Sequence, residues 1–249
     1  DYDLLKSIFY SPRFEGQGKF DTHNIGNLFL TLGAKYDGDS IHAIRALEQG
    51  LGAEGRVYPA SLDQTQLVAE LEDGTIVSQE HNIDRPLKTR KRIKRVYLEP
   101  SGIVYDEAAR VIREADYILF GPGSLYCSIV ASILSQGCRD ALAASKAKFV
   151  YIVGNAYEAH GEVGPTKLSD FVHELEQYLP RKVDVVVHNN RILNDQQKEW
   201  YKEKQWELFS ADLDQMRDYE VIMGDFERDE RPGLDDAKLG QLLKQICDR

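Results

Sequence analysis

Apolar residues along the chain recur first at helical and later at strand spacing, and the change of period marks out the fold. Leu4, Leu5 and Phe9 begin as one face of a helix. Asn24-Ile-Gly-Asn-Leu-Phe-Leu-Thr-Leu32 predicts a helix entered from a polar turn, and Ser40 to Leu51 a second, with Ile41, Ile44, Leu47 and Leu51 on one stripe. Leu67 to Val77 alternates in places around Asp73-Gly74, a hairpin signal because both turn residues tolerate positive φ. From residue 93 onward short apolar strands alternate with helices. Strands are expected at Ile93 to Leu98, Tyr117 to Phe120, Phe149 to Val153 and Val183 to Val187, and helices near Tyr105 to Glu114, Leu125 to Gln136 and Leu168 to Leu179. Such alternation predicts right-handed βαβ units and a largely parallel sheet, whose ligands sit outside the carboxyl ends of the strands. A helix from Asp235 to Ile246 closes the pattern.

That rule directs attention to Tyr117-Ile-Leu-Phe-Gly-Pro-Gly-Ser-Leu-Tyr-Cys-Ser128, a strand running into a Gly-Pro-Gly turn and then a helix. Gly121 and Gly123 permit close backbone approach to a ligand, and a helix start with free N–H groups suits an anion. Ser124, Tyr126 and Ser128 join the candidate site, with helix capping as the plain alternative for Ser124. A second candidate follows the strand Phe149 to Val153, where Asn155 offers an amide. His160 and Glu162 titrate but receive no acid–base role. A third is Arg13-Phe14 with His23, Asn24 and Asn27 before the apolar helix, where His23 or Asn24 serves equally well as a cap.

The remaining features narrow the class. The 249 residues carry 31 basic and 41 acidic side chains, a formal charge of −10, which disfavours nucleic acid and anionic membranes as partners. Seven of the eleven residues from Arg85 to Arg95 are basic, a solvated loop or an interaction module for an acidic partner. The segment Glu207 to Asp236, with eleven acidic and three basic residues, is taken as solvated surface. Three cysteines without metal-ligand spacing point to a reducing cytoplasm, and no apolar run suggests membrane insertion. P-loop, nucleophile-elbow, HExxH and G-x-G-x-x-G motifs are absent. The opening at Asp1 on what resembles a helix under way suggests that earlier sequence precedes it.

Taken in order, Arg13-Phe14 with His23-Asn24-Ile-Gly-Asn-Leu28, Gly55-Arg-Val-Tyr-Pro59, Ile93-Lys-Arg-Val-Tyr-Leu-Glu-Pro100, Gly121-Pro-Gly-Ser-Leu-Tyr126, Asn155 and Gly161-Glu162 resemble the CofD-like superfamily. The closer resemblance is to its bacterial branch of UDP-sugar-binding gluconeogenesis factors, since the phospholactate transferase branch typically has Gly-Pro-Ser-Asn-Pro at the central loop. The resemblance implies a three-layer α/β/α Rossmann-like domain spanning residues 1–249, with a mainly parallel sheet and a small antiparallel hairpin. It also implies binding of a UDP-sugar such as UDP-N-acetylglucosamine, a regulatory role in carbon metabolism or cell-envelope control, and a homodimer. Gly121, Gly123, Ser124 and Ser128 would hold phosphate, and Asn155, His23, Asn24 and Asn27 would line the pocket. Cys127 and Glu158 stand where the family usually has threonine. The alternative is a phospholactate-transferase-like enzyme using a divalent metal such as Mg2+; the family's Gly-Gly-Gly-Thr-Gly loop and paired aspartates, which hold that metal, are not found in these residues.

Overall fold

A computed structural model describes residues 2–9, 14, 23–84, 89–158 and 161–248. Arg13, Arg85, Lys88 and His160 lie outside the described residues. The chain divides into two compact units, Asp1–Tyr58 and Pro59–Arg249.

The first unit is helical: α1 (Tyr2–Phe9), α2 (Ile25–Asp37) and α3 (Ser40–Gly50). Asn24 caps α2, its side chain accepting from the Asn27 amide at 2.8 Å, and Gly38 ends that helix at φ +77°. Asp39 then caps α3 through the Ile41 amide at 2.7 Å, so one left-handed glycine and one aspartate turn the chain between the helices. The two helices meet closely at Gly33, where an added Cβ would come 2.6 Å from that of Ala43.

The second unit begins with the expected hairpin, β1 (Gln66–Leu71) and β2 (Ile76–Ser78), with Gly74 at φ +84° in the turn. The short helix α4 (Glu80–Asp84) follows, and then β3 (Ile93–Glu99), which pairs antiparallel with β1 in the order β2-β1-β3. Residues 93–98 therefore belong to the antiparallel sheet and not to the parallel one that the alternating pattern predicts. The period of a strand says nothing about its partner, and the connection to the next strand through α5 (Asp106–Glu114) reads the same either way.

The parallel sheet has the order β4-β5-β7-β9: β4 (Tyr117–Phe120), β5 (Lys148–Val153), β7 (Val185–Asn189) and β9 (Glu220–Gly224). Between them come α6 (Cys138–Ala144), the short strand β6 (Ala156–Glu158), α7 (Leu168–Glu176), α8 (Asp195–Glu203) and β8 (Trp206–Leu208), and α9 (Asp236–Cys247) ends the described chain. β6 and β8 form a separate antiparallel ribbon. Successive side chains of a strand face opposite sides, and β5 and β7 use both for the core. Phe149, Tyr151, Val153 and Val186 pack with Leu142 of α6 and Leu168, Val172 and Leu175 of α7. Val150, Ile152, Val185 and Val187 pack on the other face with Phe226 and with Leu239 and Ile246 of α9. This is the parallel α/β sheet that the alternating pattern predicts, in the layered, Rossmann-like arrangement that the family resemblance implies.

Two further sequence expectations are corrected. Residues 125–136 do not form one α-helix: a π-helical turn, Leu125–Val130, with Ile129 N–H donating to Ser124 O at 3.0 Å, runs into a 3-10 turn, Ala131–Ile133. This turn seats Leu125, Tyr126, Ile129 and Val130 in the core. The acidic segment 207–236 is not merely solvated surface, because it supplies β9 to the sheet and buries Phe226 and Glu227.

Candidate functional site

The loop after β4 owes its course to its glycines. Gly121 sits at φ +88°, and a Cβ there would come 2.9 Å from the Ile152 carbonyl oxygen in β5 and 3.1 Å from Ile129 Cδ1. A Cβ on Gly123 would come 3.0 Å from that of Ser128. Side chains at either position would push the loop off the neighbouring strand and the turn behind it. Ser124 makes no side-chain cap; its Oγ hydrogen-bonds Ser128 Oγ at 2.9 Å, so the two candidate hydroxyls form one pair. Tyr126 is fully buried, packed where a Cβ on Gly164 would come 2.9 Å from its ring, and so its side chain belongs to the core.

The amides at the start of this turn are not free, as the sequence pattern suggests. Glu162 accepts from Tyr126 N–H at 3.0 Å through one oxygen and from Cys127 N–H through the other. A carboxylate thus already occupies the end of the turn where negative charge is favoured. The Glu162 segment is itself tied to β3, with Ile93 N–H donating to Val163 O at 2.8 Å. Gly161-Glu162 enters the sequence reading as part of the family resemblance, but its pairing with these two amides has no signal there.

Beside this loop, at the carboxyl ends of β4 and β5, lies a cavity of about 310 Å³. Pro122, Gly123 and Ser124 form one wall, and Gly154 and Asn155 another. Tyr157, Phe171, Tyr201 and Trp206 supply aromatic surface, with Tyr201 and Trp206 edge-on at 5.4 Å between centroids. Asp84 and Glu162 also line it, so an anionic group held here would rely on backbone amides and hydroxyls. Burial pushes the Cys127 thiol up, reinforced by the Glu162 charge, which keeps it protonated and a poor nucleophile.

Behind the Asn155 wall is a buried polar network. Asn155, Asn189, Tyr201 and the Gly233 amide all donate to the Glu227 carboxylate, at 3.3, 2.8, 2.7 and 3.1 Å. Sequence reasoning found Asn155 but missed Tyr201, Asn189 and Glu227, which lie in segments without a motif. Nearby, His188 Nδ1–H donates to Gly154 O at 3.0 Å, and burial holds the imidazole below its ordinary 6.5.

The other candidates belong to other segments of the chain. Asn24 and Asn27 are joined as cap and first turn of α2, and His23 immediately precedes them in the first unit. Of the basic run, Arg90 donates to Asn82 O at 2.5 Å, Arg92 pairs with Glu174 at 3.3 Å, and Lys94 and Arg95 both contact Glu70 at 2.7 Å. These charges are partly answered within the chain. The Glu158 side chain lies outside what is described.

The profile of 2-phospho-L-lactate transferase CofD matches residues 3–226. The chain belongs to the CofD family. Within it, this CofD-family chain is 38% identical over 217 residues to a putative gluconeogenesis factor of Thermotoga maritima, covering 87% of this chain and 67% of that protein. It is 32% identical over 219 residues to the gluconeogenesis factor of Bacillus subtilis, covering 87% and 68%. A crystal structure of a Bacillus halodurans protein, described as a member of the UPF0052 family, superposes with a TM-score of 0.85 at 31% identity, covering 96% of this chain and 77% of the other. The resemblance expected from the motifs is thereby confirmed at the level of family and fold. Among the described residues no group of three or more His, Cys, Asp or Glu side chains is placed to hold a metal ion. No helix among them is long and apolar enough to cross a membrane.

Proposed function

We propose that this chain binds a nucleotide-sugar, with UDP-N-acetylglucosamine as reference ligand, and acts as a regulatory protein of carbon metabolism or cell-envelope control. The observation that carries the reading is the two-ended cavity at the carboxyl ends of β4 and β5. One end is a glycine-serine loop, where small residues and hydroxyls suit a phosphate. The other is aromatic, with Tyr157, Phe171, Tyr201 and Trp206 suited to the faces of a base or a sugar. Its volume of about 310 Å³ lies within the usual range of small-molecule sites. Relatives named as gluconeogenesis factors favour the regulatory role.

Calorimetric titration with UDP-N-acetylglucosamine tests the proposal, with Trp206 fluorescence as a second readout. Saturable heat together with a change in emission is expected, and Gly123→Val, which fills the loop wall, should abolish both. Absence of both signals in the unmodified protein at ligand concentrations of about 1 mM would overturn it. Sedimentation of the same sample tests the proposed homodimer. The family profile supports a second reading, transfer of a phosphate-linked group; product formation from a phosphate-linked donor with Mg2+ present would favour it over binding alone.

A further inference from the structure

Glu227 is fully buried, and it lies one residue beyond the stretch matched by the family profile. The four groups that donate to its carboxylate are all neutral, contributed by the ends of β5 and β7, by α8 and by the loop before α9, while the Lys238 ammonium donates to its backbone carbonyl at 2.8 Å. Three of them, Asn155, Tyr201 and Gly233, also line the cavity. A carboxylate is costly to bury unless its lone pairs are filled, and when ionised it can only accept. It therefore fixes the direction of every group around it. The amide nitrogens of Asn155 and Asn189 turn inward, and the single proton of Tyr201 points to Glu227 at 2.7 Å, the shorter and charge-assisted of its two options. With that proton committed, the Tyr201 oxygen retains lone pairs. It lies 3.2 Å from Asn155 Oδ1, another acceptor.

We infer that Glu227 is a positioning residue that sets the hydrogen-bond polarity of this end of the cavity, presenting Asn155 Oδ1 and the Tyr201 oxygen as an acceptor pair for an N–H or O–H donor on the ligand. This rests on the proposed binding of a nucleotide-sugar in the cavity. Three parts of such a ligand supply a donor of this kind: the imide of the pyrimidine, the hydroxyls of the sugars and the acetamido N–H of N-acetylglucosamine. Burial and the neighbouring Glu227 charge push the Tyr201 phenol up, consistent with a hydroxyl that keeps its proton and directs it inward.

The test compares unmodified protein with Glu227→Gln, Tyr201→Phe and the double variant. An amide at 227 can donate as well as accept, so it no longer dictates polarity. Glu227→Gln should weaken UDP-N-acetylglucosamine binding roughly tenfold, as for loss of one hydrogen bond to a committed acceptor. Tyr201→Phe should do the same, and the double variant should lose less than the product of the two, because both act through one oxygen. Methylation of the uracil N3 should cost the same factor if the imide is the donor, and leave affinity unchanged if the donor is a sugar hydroxyl or the acetamido N–H. A second readout needs no ligand: the 13C resonance of Tyr201 Cζ should shift in Glu227→Gln. Should that variant fail to fold, Asn189→Ser, which withdraws one donor from the carboxylate without altering a cavity-lining residue, takes its place in both measurements. An unchanged Tyr201 resonance, or unchanged affinity in a folded variant, overturns the inference. If unmodified protein gives no binding signal, the nucleotide-sugar reading fails, while the resonance still decides whether Glu227 positions Tyr201.

Discussion

Replacing Gly121 by alanine measures how tightly the loop is pressed against the sheet. At φ +88° an L-residue costs about 1–2 kcal/mol relative to glycine. The added Cβ also meets the Ile152 carbonyl oxygen at 2.9 Å and Ile129 Cδ1 at 3.1 Å. The first is backbone of β5 and cannot swing aside, so overpacking adds about 1–3 kcal/mol. The sum is about 3 kcal/mol, or about 6–12 °C in Tm for a chain of this size. Gly154→Ala is the matched control, because a Cβ there meets nothing within 4 Å. It should stay within about 0.5 kcal/mol of the parent. Urea unfolding followed by circular dichroism measures both. A loss below about 1 kcal/mol for Gly121→Ala, or equal losses for the two glycines, would refute the close approach of loop and strand.

Three further outcomes follow from the same geometry. Leu175, fully buried under the sheet, should cost about 2–5 kcal/mol when truncated to alanine, and a chemical-unfolding loss below that range would contradict its packing. Glu162→Ala leaves two amides without their carboxylate and should destabilise by about 1–3 kcal/mol; hydrogen exchange at Tyr126 and Cys127 should accelerate, and unchanged rates would count against the contact. Because the folded state holds His188 below its ordinary 6.5, the unfolded chain takes up its proton first as pH falls. Stability should therefore decline below about pH 6.5, and the loss between about pH 7.5 and 5.5 should be smaller in His188→Gln; equal losses would exclude His188 as the titrating group.

Much of the architecture is legible in the sequence because burial and period coincide there. Tyr117 to Phe120, Phe149 to Val153 and the helix after Ser40 emerge almost to the residue, and Asn24 fulfils the capping alternative weighed for it. The pattern fails where tertiary context chooses between outcomes with the same local signal. Ile93 to Leu98 has the composition of either sheet, and only its pairing with β1 decides. β9 hides in an acidic segment because its burial is partial and its neighbours are charged. The Gly-Pro-Gly-Ser loop announces the cavity through glycines that only close approach requires. Glu227 is invisible and Glu162 is seen without its role, since a glutamate whose lone pairs are filled by distant amides has the same one-letter environment as one in water.

The strand order β4-β5-β7-β9 runs in the same direction as the chain. On a ribosome, each of these four described strands would emerge after the neighbour it pairs with, none of the four needing insertion between two that already pair. Assembly of the sheet can keep pace with synthesis. The cavity cannot, because its carboxylate anchor and the glycine beside it arrive at residues 227 and 233, after the last strand. A nascent chain would thus hold these four paired strands before it holds the last wall of the cavity.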